Sequence, residues 1–543
     1  MLDHRKINGI NWKNTVAFAL AIVCFSMASY YLIFGYGAYL DADMSSELAL
    51  ASHLAKERKL ISDAWLYSTE VRVLGTQLVY TPLMVLFAHD WQMVRTLGGM
   101  ILLAAMAGAS YYSARKIGAE KYYAWIFAGL GVLPISIIYA QMIVIGTFYV
   151  PHAILINVFV AWAVSVCTQK RWMKTGVGLC LLGMFMSATS IRYLLCAILP
   201  VAAVGVYGMV FPRIEGKRSD GEKRVFVVSF AAAVLSVVGY AVGERIFAAN
   251  FLWDPNQYGG RRLVSLSSEN LFELLDRIVD GLIKMVGFME NRHLISIQGM
   301  LSLGALGLIA LAAVLVVRQM KDACKEEKTG VAILTFIMSA AMTLGTFLLV
   351  ENMYVNRYWI PVMTLGGPMM ALCLTKERNA VLRRMAGVMF ICVALGLSAA
   401  QMKNSMSYPQ IGKVERENAA CVAETGIQFG YASFWNANNL TELTNGQVEA
   451  VAFKIVEAEG NAYPDLSMWL EVQEDTQMNR PDEPVFILLS QQEEKQLSAF
   501  LDACKAEAVP MPHNNQALFI IDSQRTFFDV MLTFKENIGA NRI

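Results

Sequence analysis

Apolar blocks of about 17–22 residues recur along the chain from Thr15 to Gln401, the length an α-helix needs to cross hydrocarbon. Few folds are open to such a sequence, because backbone polar groups inside a bilayer must be satisfied within the segment or by a closed barrel. The block length makes the expected fold an all-α polytopic membrane protein. Composition agrees: 56% of residues are hydrophobic and 16% charged, where soluble domains carry about a quarter charged. A formal charge of +1 gives no domain-wide basic surface for nucleic acid.

Lys and Arg orient the blocks. His4, Arg5, Lys6 and Lys13 precede the first block, which puts the N-terminus in the cytoplasm. No small-x-small cleavage site follows that block, so it reads as an uncleaved span. Keeping the strongly basic connections on one face gives eleven spans, at about 15–34, 93–113, 122–140, 148–167, 175–189, 192–211, 225–243, 299–317, 330–350, 358–374 and 385–401. The spans at 122–140 and 148–167 come from dividing Tyr122–Gln169, which has no charged residue and is too long for one crossing. Residues 1–401 thus read as a transmembrane domain with external loops at 35–92 and 248–298. The first loop is expected to hold a helix from Glu47 to Leu60 and an interfacial helix over Leu74–Phe87. The second is expected to hold an amphipathic helix over Glu269–Glu290.

From 402 to 543 the composition turns soluble. Phe429–Trp435, Val448–Val456, Pro484–Leu489 and Ala517–Ile521 read as strands and Glu493–Ala508 as a helix, giving a small external α/β domain. Of nine cysteines only Cys421 and Cys504 fall outside, a candidate disulfide in the one compartment that permits it. Two unrelated buried thiols are the alternative. Asn439-Leu-Thr441 fits a glycosylation triplet, which arises by chance too readily to carry weight. Walker, HExxH, CxxC and strand-linked GxGxxG motifs are absent.

Chemistry is expected in Tyr39-Leu-Asp-Ala-Asp-Met-Ser-Ser-Glu47, just past the first span. Acidic side chains at a bilayer surface are costly and tend to be functional. Asp41 and Asp43 could together hold a hard cation such as Mg²⁺ or Mn²⁺, or one could act as a general base. Asp43 followed by Glu47 also resembles a capping box, which leaves Asp41 without a role. Arg192, in the turn Thr189-Ser-Ile-Arg192, and Arg357, in Asn356-Arg-Tyr-Trp-Ile-Pro361, begin apolar spans on the external side. Guanidinium groups there can grip a phosphate or simply snorkel to headgroups. Arg261 and Arg262, after Gly259-Gly260, are further phosphate candidates. Glu47, Trp65, Tyr67 and Tyr358 are candidate substrate contacts, with interfacial anchoring the alternative for the aromatics.

These motifs together resemble the polytopic GT-C glycosyltransferases that use polyprenyl-phosphate-linked sugars, including bacterial mannosyl- and arabinosyl-transferring members. The match lies in span one running into Tyr39-Leu-Asp-Ala-Asp43 and the long first loop ending in Leu78-Val-Tyr-Thr-Pro-Leu-Met-Val-Leu86. Ser190-Ile-Arg192, Asn356-Arg-Tyr358 and the external C-terminal domain complete it. The resemblance implies a bacterial cytoplasmic-membrane enzyme that moves a sugar from a polyprenyl-phosphate donor to a glycan or protein acceptor on the outer face. It implies Asp41 or Asp43 as base, Arg192 and Arg357 on the lipid phosphate, and inversion at the anomeric carbon. Where related enzymes carry Lys-Pro-Pro-Leu, this chain has Tyr80-Thr-Pro82, so the sugar stays unassigned. The competing readings are an O-antigen-ligase or polysaccharide-polymerase type enzyme, and a non-enzymatic transporter or envelope scaffold. A transporter is expected to show midplane charges and internal repeats.

Overall fold

The computed structural model describes residues 12–35, 40–68, 70–71, 73–211, 219–253, 268–323, 326–350, 354–407, 409–458, 461–466 and 469–540. The chain is a polytopic α-helical membrane protein with a small α/β region near its C-terminus. It divides into two compact units, one drawing on residues 1–32, 100–246 and 258–404, the other on 33–99, 247–257 and 405–543.

In the first unit the apolar blocks are helices. Among the described residues eight helices are long and apolar enough to cross a membrane, covering the spans expected near 15–34, 93–113, 192–211, 225–243, 299–317, 330–350, 358–374 and 385–401. A ninth crossing is reached if Ile137–Ile145 and Val150–Val166, bent by 85°, form one broken span. The stretch expected as one helix over 122–140 therefore ends early. The helix Lys121–Leu130 stops, and the chain restarts at Ser136, whose hydroxyl caps the next turn by accepting from the Tyr139 amide at 3.1 Å. The block expected at 175–189 is the helix Trp172–Thr189. It packs tightly on Asp220–Asn250, because Gly239 and Gly243 lie one turn apart on the longer helix. A Cβ at Gly239 would come within 2.3 Å of the Met184 carbonyl, and one at Gly243 within 2.3 Å of that of Ala188. Small residues at four-residue spacing allow this close approach.

In the second unit the strands of the soluble region form a six-stranded sheet. Its members are β3 (Phe429–Ser433), β4 (Glu449–Ala458), β5 (Asn461–Leu466), β7 (Val485–Ser490), β8 (Glu507–Val509) and β9 (Gln516–Ile521), in the order β5-β4-β3-β7-β9-β8. β3 pairs in parallel with β4 and β7, and the outer pairs are antiparallel. The central strands are apolar on both faces because helices cover both. Phe429, Tyr431, Phe453 and Ile487 pack against Phe500, Phe527 and Met531 on one side. Ala432, Ala452 and Leu488 pack against Val422, Ala437 and Leu440 on the other.

This arrangement corrects the disulfide expectation. Cys504 is buried in the first of these cores, whereas Cys421 lies on the helix Pro409–Glu424 over the opposite face. Both thiols are free. The helix expected over Glu493–Ala508 is two short ones, Gln491–Gln496 and Ser498–Ala503, and the chain then enters β8. A second sheet of three short strands has β1 (Trp65–Tyr67) at its centre. It pairs in parallel with β2 (Leu252–Trp253) and antiparallel with β6 (Glu471–Val472). Both loops and the C-terminal segment thus share one sheet.

Candidate functional site

In the first unit, two local departures from α-helical geometry build a cavity around Arg192. Residues Ala140–Ile145 and Leu194–Ile198 are π-helical, a widening that recurs at functional sites. After the first widening Thr147 adopts a left-handed backbone (φ 57°), and the chain restarts at Val150 with Tyr149 as its N-cap. Before the second, Ser190 is extended and its hydroxyl accepts from the Arg192 amide at 3.2 Å. These turns bring Tyr149 and Arg192 together. One guanidinium nitrogen donates to the Tyr149 hydroxyl at 3.2 Å, and the group lies 4.9 Å from the ring centre of Tyr358 and 5.7 Å from that of Tyr149. A cation over aromatic faces stays charged at low solvation cost.

Tyr149, Arg192, Cys196, Thr343, Thr346 and Tyr358 line a cavity of about 50 Å³ here. His152 stacks on Tyr193 next to it, with ring centres 4.8 Å apart and planes at 12°. Arg357 occupies the 3₁₀ turn Asn356–Trp359, so Tyr358, its neighbour in that turn, is the residue that reaches Arg192. The turn is tied down by Tyr354, whose hydroxyl donates to the Asn356 side chain at 2.7 Å. Sequence reasoning named Arg192 and Tyr358 but missed Tyr149 and His152. The available signal was Gly146-Thr-Phe-Tyr-Val-Pro151, a helix-breaking stretch inside the uncharged run.

The acidic segment belongs to the second unit. Asp41, not Asp43, is the N-cap of the helix Ala42–Glu57, its carboxylate accepting from the Met44 amide at 2.8 Å. Asp43 sits in the first turn, where the helix N-terminus favours a carboxylate. The cap expected at Asp43 is therefore two residues earlier, as a simple N-cap without a capping box because Met44 holds the third helical position, and the residue that lacked a structural role acquires one. Glu47 is 1% exposed and accepts from the Thr76 hydroxyl. The helix is held from outside as well. Arg95, fully buried, pairs with both carboxylate oxygens of Glu442 at 2.5 and 2.7 Å and donates to the Met44 carbonyl at 2.9 Å. The Ser45 hydroxyl donates to Asn439 at 2.7 Å.

Trp65 and Tyr67 lie in β1, buried rather than at a surface. The Tyr67 hydroxyl accepts from the Ser62 amide at 3.1 Å, and burial pushes its pKa up to about 12, which marks a core residue. Arg261 and Arg262 lie outside the described residues. Among the described residues, no three His, Cys, Asp or Glu side chains converge as a metal site would require.

No family model and no curated protein sequence matches the chain. Its fold does have solved counterparts. The crystal structure of ArnT from Cupriavidus metallidurans in the apo state superposes with a TM-score of 0.58 at 12% identity, covering 92% of this chain and 97% of that one. The structure of the same protein bound to undecaprenyl phosphate gives a TM-score of 0.59 at 12% identity, covering 95% and 99%. The match spans both chains nearly end to end, so the fold of this protein is similar to that of ArnT over nearly its whole length.

Proposed function

We propose that the protein transfers a sugar from a polyprenyl-phosphate donor to an acceptor at the outer face of a bacterial cytoplasmic membrane. The observation that carries this reading is the Arg192 cavity: a guanidinium held on tyrosine faces, at the start of an apolar helix, in a chain with this fold. The structural neighbour with undecaprenyl phosphate bound supports the lipid class of the donor.

In this reading Arg192, with Arg357 in reserve on the adjoining turn, takes up the charge that grows on the departing phosphate. The carboxylate of Asp41 or Asp43 removes the acceptor hydroxyl proton. The freed oxygen attacks the anomeric carbon, the bond from that carbon to the phosphate oxygen breaks, and its electron pair leaves with the polyprenyl phosphate. A single displacement of this kind inverts the anomeric centre. No step is routed through a cation.

The test is glycan analysis of the envelope in cells carrying Asp41→Asn plus Asp43→Asn at matched protein level. Asn preserves the helix cap while removing the base. The expected outcome is the glycan profile of a deletion strain. A wild-type profile beside a changed deletion strain would rule out these acids as the base.

A further inference from the structure

The second unit holds an open cleft of about 730 Å³, far larger than the cavity at Arg192 and within the range of small-ligand sites. His53, Trp65, Trp91, Glu449, Glu471 and Asp475 line it. Two of them are deeply buried and incompletely satisfied among the described residues. Trp65 is 2% exposed and its indole N–H has no hydrogen-bond partner. Glu471 is 7% exposed, and one carboxyl oxygen accepts from the Ala452 amide at 2.9 Å while the other has no partner. Leaving such a group unmet costs the full desolvation of that group. Both residues line the cavity, and an occupant supplying a donor and an acceptor would meet the two groups that the fold leaves unmet.

The other lining groups narrow the class of occupant. Trp91 is fixed by its own indole, which donates to the Ala88 carbonyl at 3.2 Å, and offers a flat apolar wall. It can sit there because Gly446 (φ 71°) is behind it, where a Cβ would fall 2.7 Å from the ring. Three carboxyl side chains give the wall no cation for an anionic occupant, and the cations among the lining residues, Lys56 and Arg58, are exposed. A hydrocarbon chain would leave the buried polar groups unmet. Burial, and next the neighbouring Glu449, push Asp475 up to about 7, so near neutral pH it can donate as well as accept. Burial pushes the His53 imidazole below its ordinary value, and its Nε2 lies 2.9 Å from the Ser62 hydroxyl.

We propose that this cavity binds a short neutral or amine-bearing glycan, with sugar hydroxyls engaging the Trp65 indole N–H and the Glu471 carboxyl and a ring face against Trp91. The site does not depend on the transfer reaction, so it is tested by binding alone.

The experiment is isothermal titration calorimetry of the purified full chain in detergent with three probes: maltotriose, the glucosamine trisaccharide chitotriose, and trigalacturonic acid. Saturable heats are expected for at least one of the first two and not for the third. Glu471→Gln and Trp65→Phe should each weaken that binding by about tenfold, the equivalent of one lost hydrogen bond to a buried group. Gln447→Trp, at an exposed lining position, should give the same loss by narrowing the cavity without disturbing the core. Arg192→Ala should bind the probe as wild type does, so failure of the donor reading leaves this test intact. Absence of saturable heat with both maltotriose and chitotriose would overturn the proposal. So would equal affinity for trigalacturonic acid, or affinity unmoved in all three cavity variants.

Discussion

Arg95 and Arg192 look alike in the sequence: each stands near the start of a long apolar helix. The structure gives them opposite surroundings. Arg95 is fully buried and grips a carboxylate with two of its nitrogens, with a backbone carbonyl as a third contact. Arg192 is half-buried, and its contacts include a phenol hydroxyl and the faces of two tyrosines beside a cavity. The first arrangement is closed, a clamp between the helix Ala42–Glu57 and the helix that carries Glu442. The second borders a cavity of about 50 Å³. Burial against a carboxylate makes Arg95 a structural clamp, whereas Arg192 lies at a cavity wall with aromatic backing.

The largest effect expected from this contrast is on stability. Arg95→Ala leaves the Glu442 carboxylate buried without its cation, which costs about 3–5 kcal/mol. Thermal unfolding of the purified chain should show a Tm fall of several degrees. Replacing both partners, Arg95→Met with Glu442→Leu, should recover most of it, since an apolar pair of similar volume replaces the ion pair. Arg192→Ala should do the reverse. Tm stays near wild type, while transfer from the lipid donor falls by about 10²–10³, the scale for losing one preorganised donor to a developing oxyanion. Arg192→Lys should restore only part, because an ammonium lacks the planar fork that matches a phosphate. Equal Tm losses for the two alanine variants would break the contrast.

The same two arginines measure what the sequence could show. Arg192 stood out because Ser190-Ile-Arg192 interrupts an apolar run, and interruptions are local. Arg95 could not, because Glu442 lies 347 residues away and only folding brings them together. The eight spans, the helix Ala42–Glu57 and four of the strands were legible for the same reason: periodicity and block length are local signals. The three-stranded sheet was not, since β1, β2 and β6 are two or three residues each and draw on three distant segments. Within Tyr122–Gln169 the expected helix over 148–167 is present as Val150–Val166, and the one over 122–140 departs for a different reason. Hydropathy marks that stretch as apolar but does not register the π-helical turns and the left-handed Thr147 that bend it. Those same bends position Tyr149, so the misread geometry and the missed site residue share a cause.

A smaller effect follows from the acidic cavity. Asp475 is raised to about 7 by burial and by Glu449, with Arg480 and Asn479 opposing, and burial raises Glu471 in the same direction. A carboxyl raised on folding binds its proton more tightly in the native state, so its stabilising effect is present below the unfolded value near 3.8 and is lost as pH rises through about 7. Unfolding of the purified chain should therefore occur at lower temperature at pH 8 than at pH 5. Asp475→Asn should flatten that slope. Arg95→Met with Glu442→Leu should leave it unchanged, since that pair lies outside the cavity's lining. A slope that survives Asp475→Asn would assign the pH response to other groups.

The smallest expected effect separates structure from chemistry at a single carboxylate. Asp41 caps a helix through the Met44 amide, so Asp41→Ala should cost about 1 kcal/mol while Asp41→Asn costs little. If Asp41 is also the base, the Asn variant keeps its Tm and loses transfer. If Asp43 is the base, Asp43→Asn loses transfer and Asp41→Asn keeps it, because Asp43 lies in the first helical turn with Asp41 as the cap. Measuring both Asn variants for Tm and for transfer distinguishes these outcomes. Capping uses the side-chain oxygen that Asn retains, and proton removal uses the charge that it lacks. The acidic segment then repeats the lesson of the two arginines at one residue: a side chain's structural contact and its chemical role can be separated only by a variant that keeps one and deletes the other.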